Sequence, residues 1–330
     1  MNFFLILITV DTMVCSETIT SVIDSCLEQN PCEIDIQYNK PIAQHCSFKV
    51  GGPADCWIRP AAAGFQPFVH SLLASSSNEK IPVFILGAGA NILVADRGIR
   101  GIVLDMNSWT GETEQQRHEG IVHYRSGTSL DSAADCAAEA GLSGLEFLAG
   151  MPGSIGGSVW MNARCYDQEI ADVLINTAII DYSGDKPGFK SIPANKKDFS
   201  YKHSPFQGNN SLILSAAFQL TDGDPRQIRS LMEEHRRDRE SKGHFRYPSA
   251  GSVFKNNRSF GKPSGKIIDE LGLCGLRING AQVAPWHGNF IINTGGATAA
   301  DIRALVNEVS MRVKNATGFE LEPEILFVGF

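Results

Sequence analysis

The chain has 330 residues, 43% of them hydrophobic and 20% charged, and a net charge of −7 at neutral pH. That length allows two or three domains with sizeable cores, and the composition is ordinary for a soluble globular protein. The acidic balance leaves no surplus of Lys and Arg to neutralise phosphates, which argues against a nucleic-acid partner.

The eight cysteines, at positions 15, 26, 32, 46, 56, 136, 165 and 274, form no CxxC pair and show no zinc spacing with histidine. Scattered in this way they read as buried or free thiols in a reducing compartment, so a cytoplasmic protein without a metal is expected. Met1–Val10 is almost wholly apolar but lacks a basic flank. It is too short to span a bilayer, which takes about 20 apolar residues. Val14-Cys15-Ser16 is a poor cleavage site, so the segment reads as a frayed extension or an upstream start, not as an export signal.

From Ser16 to Asn30 the pattern is helical, with Ile19, Val22, Ile23, Cys26 and Leu27 on one face and Ser16 as cap. Gly51-Gly52-Pro53 breaks the chain before a short strand, Cys56–Arg59. Pro67–Ser75 reads as a helix through Phe68, Leu72 and Leu73. Val83–Leu86 is a buried strand running into Gly87-Ala88-Gly89-Ala90-Asn91. A strand ending in Gly-x-Gly resembles a dinucleotide turn, but Ile92–Val94 is again β-like. No long helix opens, so the Rossmann reading fails. A turn at Asp96–Gly98 leads to a strand at Ile102–Asp105.

Ile121–Arg125 alternates as a strand. Ser129–Ala140 is an alanine-rich helix capped by Ser129 and stopped by Gly141. Gly141–Ala163 then carries six glycines up to Gly157 and one charge, Glu146, with no period long enough for a core element. Glycines this dense suit a backbone that takes positive φ or lies very close to something. An apolar, nearly uncharged loop fits a large flat ligand with a phosphate tail, cradled by backbone N–H groups. A plain turn between two elements is the alternative. Val173–Asp181 and Ser211–Leu220 read as strands flanking a polar stretch, Asp185–Phe206. Strands dominate, with a few helices, so an α+β class is favoured over alternating βαβ.

A boundary falls near Thr221–Pro225. Asp224 is an N-cap, Pro225 the first helical residue, and Gln227 completes a capping box for a helix to about Glu240. His235–Arg239 resembles a phosphate-binding cluster, but a solvated charged face is the simpler reading. Ser264–Leu271 is a short capped helix ended by Gly272, and Asn289–Asn293 is a strand. Thr298–Lys314 is the clearest helix, with a Thr298/Asp301 capping box and a buried stripe of Ile302, Leu305, Val306, Val309 and Val313. Glu322–Gly329 closes the chain as a strand carrying Glu324.

Spacing alone assigns little chemistry. Ser249 and Ser252 sit in Tyr247-Pro-Ser-Ala-Gly-Ser-Val-Phe254, which is not a G-x-S-x-G nucleophile elbow, since Ser252 lacks the glycine that follows. No histidine is obviously paired with them, so a serine hydrolase is weakly supported. Glu324, by pattern, is an edge carboxylate facing water.

Seven blocks, however, together resemble the UDP-N-acetylenolpyruvoylglucosamine reductase family, flavin enzymes of peptidoglycan precursor synthesis. They are SFKVGGPAD (Ser47–Asp55), GAGANILV (Gly87–Val94), Gly141–Ala163, FSYKHS (Phe199–Ser204), YPSAGSVFKN (Tyr247–Asn256), GAQ (Gly280–Gln282) and LEPE (Leu321–Glu324). They run in order over roughly Tyr38 to Gly329, which is far more specific than any one of them. YPSAGSVFKN resembles the shorter branch, which lacks an extra substrate-covering loop.

The resemblance implies an N-terminal extension and helix (residues 1–30) and a two-part FAD-binding domain of the vanillyl-alcohol-oxidase/PCMH type (31–221). A C-terminal α+β substrate-binding domain (222–330) would follow. It implies noncovalent FAD held by Val50, Gly51, Gly52, Pro53 and Ala54, by Gly87, Ala88, Gly89, Ala90 and Asn91, and by Gly150, Pro152, Gly153, Ser154, Gly156 and Gly157. NADPH would reduce the flavin, leave, and give place to UDP-N-acetylglucosamine enolpyruvate, which becomes UDP-N-acetylmuramate. Ser252 would protonate the carbanionic carbon, acting by geometry more than by pKa. Lys202 and Glu324 would share the charge that spreads into the substrate carboxylate. A glutamate that donates needs a raised pKa, so largely apolar surroundings are expected for Glu324. Lys255 and Asn256 would grip the diphosphate, and Tyr201 and Gln282 would face the substrate. A surface loop end, core packing and a backbone-satisfied amide are the respective alternatives.

The departures from the family pattern matter. Lys202 stands where arginine is usual and keeps the charge without the planar fork. Either it holds the substrate more weakly or another arginine, such as Arg246, reaches in. Arg164 replaces a glycine, so either the loop shifts or Arg164 brings charge to the site. Asn257 replaces a proline and Leu326 an arginine. Lys202 and Arg164 prompt a second reading, an FAD- or sugar-nucleotide-binding protein with reduced or lost turnover. An FAD oxidase on the same fold is a third, in which the Ser252–Glu324 pairing has no purpose. No membrane association and no obligate protein partner are inferred.

Overall fold

The computed structural model describes residues 16–60, 64–112, 119–183 and 188–330. The apolar Met1–Val10, the Val14-Cys15 step and the start of the polar stretch at Asp185 lie outside them. The first unit contains helices α1 (Ser16–Gln29) and α2 (Gln66–Asn78) and strands β1 (Ile34–Pro41), β2 (Pro53–Pro60), β3 (Val83–Leu86), β4 (Ile92–Val94) and β5 (Ile99–Asp105). Its sheet runs β1-β2-β5-β3, with β1 antiparallel to β2 and β5 parallel to both β2 and β3. Ile19, Ile23 and Cys26 of α1 and Phe68, Leu72 and Leu73 of α2 pack on Cys56, Ile58, Ile102 and Leu104 of that sheet. Apolar alternation does not reveal β1, because it is a half-exposed edge strand that pairs only with β2.

The second unit contains β6 (Ile121–Arg125), α3 (Leu130–Glu139), β7 (Leu142–Ser143), α4 (Ile155–Met161), β8 (Arg164–Cys165), β9 (Gln168–Glu169), β10 (Leu174–Asp181), β11 (Gly188–Pro193), β12 (Ser211–Gln219), β13 (Thr221–Asp222) and α5 (Pro225–Ser241). An antiparallel sheet runs β11-β10-β12-β6, while β7 pairs with β13 and β8 with β9. Ser129 caps α3 by accepting the Ser132 N–H, as expected. The glycine-rich stretch is not all loop. Ser154 accepts the Gly157 N–H and starts α4, whose Ile155 and Val159 join the core. Local capping outweighs the poor helix propensity of its two glycines. Likewise β11 lies within a stretch whose polar composition hides it.

Asp224 does cap α5, but its carboxylate accepts the Arg226 N–H and the expected box with Gln227 does not form. His235–Arg239 is only in part a solvated face: Arg237 is exposed, but His235 is 7% and Arg239 8% exposed. His235 and Arg239 continue the stripe of Ile228 and Met232, which buries α5 in the second unit's core.

The third unit contains α6 (Ser264–Glu270), β14 (Arg277–Ile278), β15 (Ala281–Val283), β16 (Ile291–Asn293), α7 (Ala299–Thr317) and β17 (Leu326–Val328). The antiparallel sheet β14-β15-β16 carries α7, whose Thr298/Asp301 box and five-residue buried stripe are as expected. Asp96 also caps α7, accepting the Ala299 and Ala300 N–H groups at 2.8 and 2.9 Å. Finally β17 crosses back to the first unit and pairs parallel with β4, Leu326 opposite Ile92. Glu324 therefore precedes the terminal strand and does not lie on it. That crossing sets Glu324 beside the turn after β3, where Asn91 Nδ2 donates to its carbonyl at 3.0 Å.

Candidate active site

A cleft of about 650 Å³ runs between the three units. The turn after β3, the Met151–Ser158 segment, the Ser249–Ser252 turn, Lys202 and Glu324 all contribute to its wall. In the turn after β3, Gly89 has a φ of 63°, and a Cβ there would lie 2.1 Å from the His45 carbonyl oxygen. Only glycine fits. Ser47 holds the carbonyls of Gly89 and Ala90 through its N–H and hydroxyl. Among the described residues no hydrogen bond engages the N–H groups of Ala88, Gly89 and Ala90. Gly87 faces Ser154, whose Oγ a Cβ would approach to 2.6 Å, so the two glycine-rich segments meet.

The expected cofactor residues separate into two groups. Gly87 to Asn91 line the cleft, as do Pro152, Gly153, Ser154, Gly156 and Gly157. Gly150 stands behind that wall, its N–H held by Asp131 and its carbonyl by Arg239, each at 2.8 Å. Val50 to Ala54 contribute nothing to the wall. Val50 is buried in the third unit's core, and a Cβ on Gly52 would come within 2.2 Å of the Asp96 carbonyl. Gly52 serves a close backbone crossing, and Gly51 packs against the Val94 side chain.

Ser252, Lys202 and Glu324 all line the cleft. Glu324 donates its N–H to the Val253 carbonyl at 2.7 Å, which lays the Ser252 turn alongside it. Asn289 locks that turn by accepting the Phe254 N–H and donating to the Phe254 carbonyl. Lys202 Nζ is 2.7 Å from Glu324 Oε1, with the two side chains 14% and 11% exposed. Glu324 is thus half-buried against an ammonium, and not in the largely apolar surroundings expected. Arg246 does not reach in; its guanidinium lies over the Trp286 ring at 5.0 Å. Arg164 is on the cleft wall and pairs with Asp167 at 3.3 Å.

The four expected substrate residues stand off the wall. The Tyr201 hydroxyl accepts the Asn256 N–H at 3.3 Å, and Asn256 Oδ1 accepts the Ser264 N–H at 2.9 Å. Lys255 pairs with Glu322 at 2.7 Å. Gln282 donates to the Gly275 carbonyl at 3.1 Å, in the turn before β14.

Sequence reasoning misses a polar corner built on α5. Tyr166 stacks on His235 with ring centroids 3.8 Å apart and donates to Asp238 at 2.8 Å. His235 Nδ1 bonds the Glu146 carbonyl at 2.9 Å. Arg239 reaches the cleft beside Cys165 and His244. Burial, with the nearby Arg239, His287 and Lys242 charges, pushes the His244 pKa down to about 3. The signal was present: His235 and Arg239 fall at helical spacing after Ile228 and Met232, so the apolar stripe itself placed them inside.

Residues 243–328 match the C-terminal domain profile of UDP-N-acetylenolpyruvoylglucosamine reductase, and residues 68–185 match an FAD-binding domain. Reductases of that name from Treponema denticola and Treponema pallidum are 44% and 40% identical over 89% and 88% of this chain, and 94% and 93% of their own lengths. The chain belongs to the UDP-N-acetylenolpyruvoylglucosamine reductase family. The crystal structure of the Thermus caldophilus member superposes with a TM-score of 0.70 at 30% identity, covering 90% of this chain and 99% of that one. The α+β architecture, an FAD-binding unit followed by the reductase C-terminal unit, is therefore as the sequence implied.

The cleft fits FAD. Free N–H groups at Ala88 to Ala90 suit a pyrophosphate, and small residues at Gly153 to Gly157 admit a flat ring. Two buried hydroxyls on the wall, Ser126 and Ser211, have no hydrogen-bond partner among the described residues. Among the described residues no helix is long and apolar enough to cross a membrane.

Proposed function

We propose that this protein reduces UDP-N-acetylglucosamine enolpyruvate to UDP-N-acetylmuramate, with FAD in the cleft and NADPH as reductant, as a cytoplasmic step of peptidoglycan precursor synthesis. One observation carries the reading: the Lys202–Glu324 pair and Ser252 share the wall of a cleft fitted for FAD. When bound, FAD supplies the two-electron reduction of the substrate's terminal vinyl carbon. The neighbouring carbon then holds an electron pair conjugated with its carboxylate. Lys202 has three N–H donors, of which Glu324 takes one, leaving two for that carboxylate. Its charge offsets the second negative charge where water is largely excluded. Glu324 fixes the ammonium in place. The Ser252 hydroxyl, on the turn clamped by Asn289, hands its proton to the carbanionic carbon.

Lysine replaces a two-pronged guanidinium here, so the substrate carboxylate is held by fewer directed bonds. The ammonium already stands at the reacting end of the cleft, and this supports turnover over a binding-only protein. The test is an anaerobic titration of the purified yellow protein. NADPH bleaches the flavin, and UDP-N-acetylglucosamine enolpyruvate restores the colour with formation of UDP-N-acetylmuramate. Bleaching that this substrate does not reverse overturns the reading.

A further inference from the structure

The structure assigns Ser126 and Ser211 to the adenosine end of the bound FAD, as hydroxyls that hydrogen-bond the nucleoside. The inference rests on the FAD reading above and deepens it. Ser126 is 3% exposed, yet among the described residues its Oγ has no partner, and the Ser211 Oγ is likewise buried and without one. Both residues line the cleft. A buried hydroxyl without a partner costs free energy, and a native fold keeps one where something absent completes it.

The backbone fixes where they stand. Ser126 donates its N–H to Leu214 of β12 at 2.9 Å and accepts the Gly156 N–H of α4 at 2.8 Å. It is therefore built into the join between the second sheet and the glycine-rich wall. Ser211 begins β12 and lies on the same strand face as Ile213, another lining residue. Met106, Leu130, Tyr182 and Ile213 make the rest of this stretch largely apolar. A flat ring with a few polar atoms is the ligand such a wall receives.

FAD has three parts to place. Its reactive ring must lie at Ser252, Lys202 and Glu324, where the chemistry is. Its pyrophosphate is matched by the free N–H groups of Ala88 to Ala90. Arg164, Tyr166, Asp238, Arg239, Lys242 and His244 also line the cleft but already have protein partners, so the two unpartnered hydroxyls, Ser126 and Ser211, are left for adenosine. Serine has three staggered positions, so a ligand that offers a partner can draw each hydroxyl to it.

The test compares wild type with Ser126→Ala, Ser211→Ala and the double variant. Apoprotein is titrated with FAD and, separately, with FMN, which lacks the adenosine; flavin fluorescence reports both affinities. Each substitution should weaken FAD binding by about two- to tenfold, the worth of one hydrogen bond, and leave FMN binding unchanged. The Tm of the apoprotein should rise, because the unpaired hydroxyl is gone. A merely structural role would lower both Tm and affinity. Equal losses for FAD and FMN would place the hydroxyls at the flavin half and overturn the inference, and so would unchanged FAD affinity. Failure of the wild type to bind FAD would overturn the cofactor reading itself.

Discussion

Lys202 Nζ lies 2.7 Å from Glu324 Oε1, a contact between a tight turn of the second unit and the segment that leads into the last strand. Lys202 holds a left-handed backbone, φ 58°, and its carbonyl is pinned by Gln207 at 3.1 Å, so the turn is shaped to deliver this side chain. Lys202→Ala should leave FAD content unchanged. It should lower kcat by about 10²–10³-fold, the usual cost of removing one donor at a developing charge. Lys202→Arg supplies a two-pronged grip from the same turn and should lower KM for the enolpyruvyl substrate. Steady-state kinetics with both substrates, beside flavin absorbance per protomer, checks this. Full turnover in Lys202→Ala would mean that the charge comes from elsewhere.

The Ser252 turn and the Glu324 segment are joined by the backbone bond from the Glu324 N–H to the Val253 carbonyl. Ser252→Ala would remove the proposed proton source and nothing from the cofactor wall's backbone. Anaerobic bleaching by NADPH should keep its wild-type rate. Reoxidation by the enolpyruvyl substrate should slow by about 10²–10⁴-fold, the range for a lost general acid. Stopped-flow absorbance separates the two half-reactions. Equal slowing of both would remove Ser252 from the proton transfer.

Gly52 tests whether the Gly51-Gly52 pair acts through the fold or through the cofactor. A Cβ there would meet the Asp96 carbonyl at 2.2 Å and the Gly98 nitrogen at 2.6 Å. Gly52→Ala forces backbone apart and should cost about 1–3 kcal/mol. The loss should be equal for apoprotein and holoprotein in paired thermal melts. A loss confined to the holoprotein would return the segment to the cofactor.

Much of this site was legible in the sequence because it is built from backbone. Dense glycines announce close approach, and Gly87 to Asn91 and Gly153 to Gly157 indeed line one cleft. At Val50 to Ala54 the same rule does not tell the two causes apart, because glycine demanded by a protein crossing, as at Gly52, looks like glycine demanded by a ligand. Periodicity found the helices with apolar stripes, such as α7, and missed β1 and β11, whose half-exposed faces carry little alternation. It also misplaced His235 and Arg239, since charge composition was weighed above the stripe they extend. The Lys202–Glu324 contact joins residues that only the fold brings together, so no spacing rule reveals it.

His244 makes acid stability a readable property. Burial is the main cause that lowers its pKa from 6.5 to about 3, with Arg239, His287 and Lys242 adding and Asp238 opposing. Between those values the unfolded chain binds a proton that the folded one refuses. The stabilising contribution is therefore complete above pH about 6.5 and is lost as pH falls towards about 3. His244→Gln cannot take up that proton and should flatten the fall of Tm across this range. Melts at intervals from about pH 7.5 to 4.5 check it. Parallel curves for the two proteins would show that other groups set the acid limb.

Asp131 joins α3, α5 and the glycine-rich wall at one carboxylate. Its Oδ1 accepts the Gly150 N–H at 2.8 Å and the Arg236 Nη2 at 2.8 Å, while Arg239 holds the Gly150 carbonyl from the same helix. Gly150 has a φ of 68° and leads directly into the Met151–Ser158 wall, so its anchorage sets where that wall stands. Asp131→Ala leaves the Gly150 N–H unpaired, at a cost of about 1–3 kcal/mol. It also frees Arg236, which keeps Asp135 and Glu233 as partners. FAD should then leave the holoprotein several-fold faster on dilution, seen as rising free-flavin fluorescence. Arg236→Ala, which spares the Asp131–Gly150 bond, should lower Tm with a smaller effect on FAD release. Equal release rates in the two variants would show that the ion pair, and not the bond to Gly150, holds the wall in place.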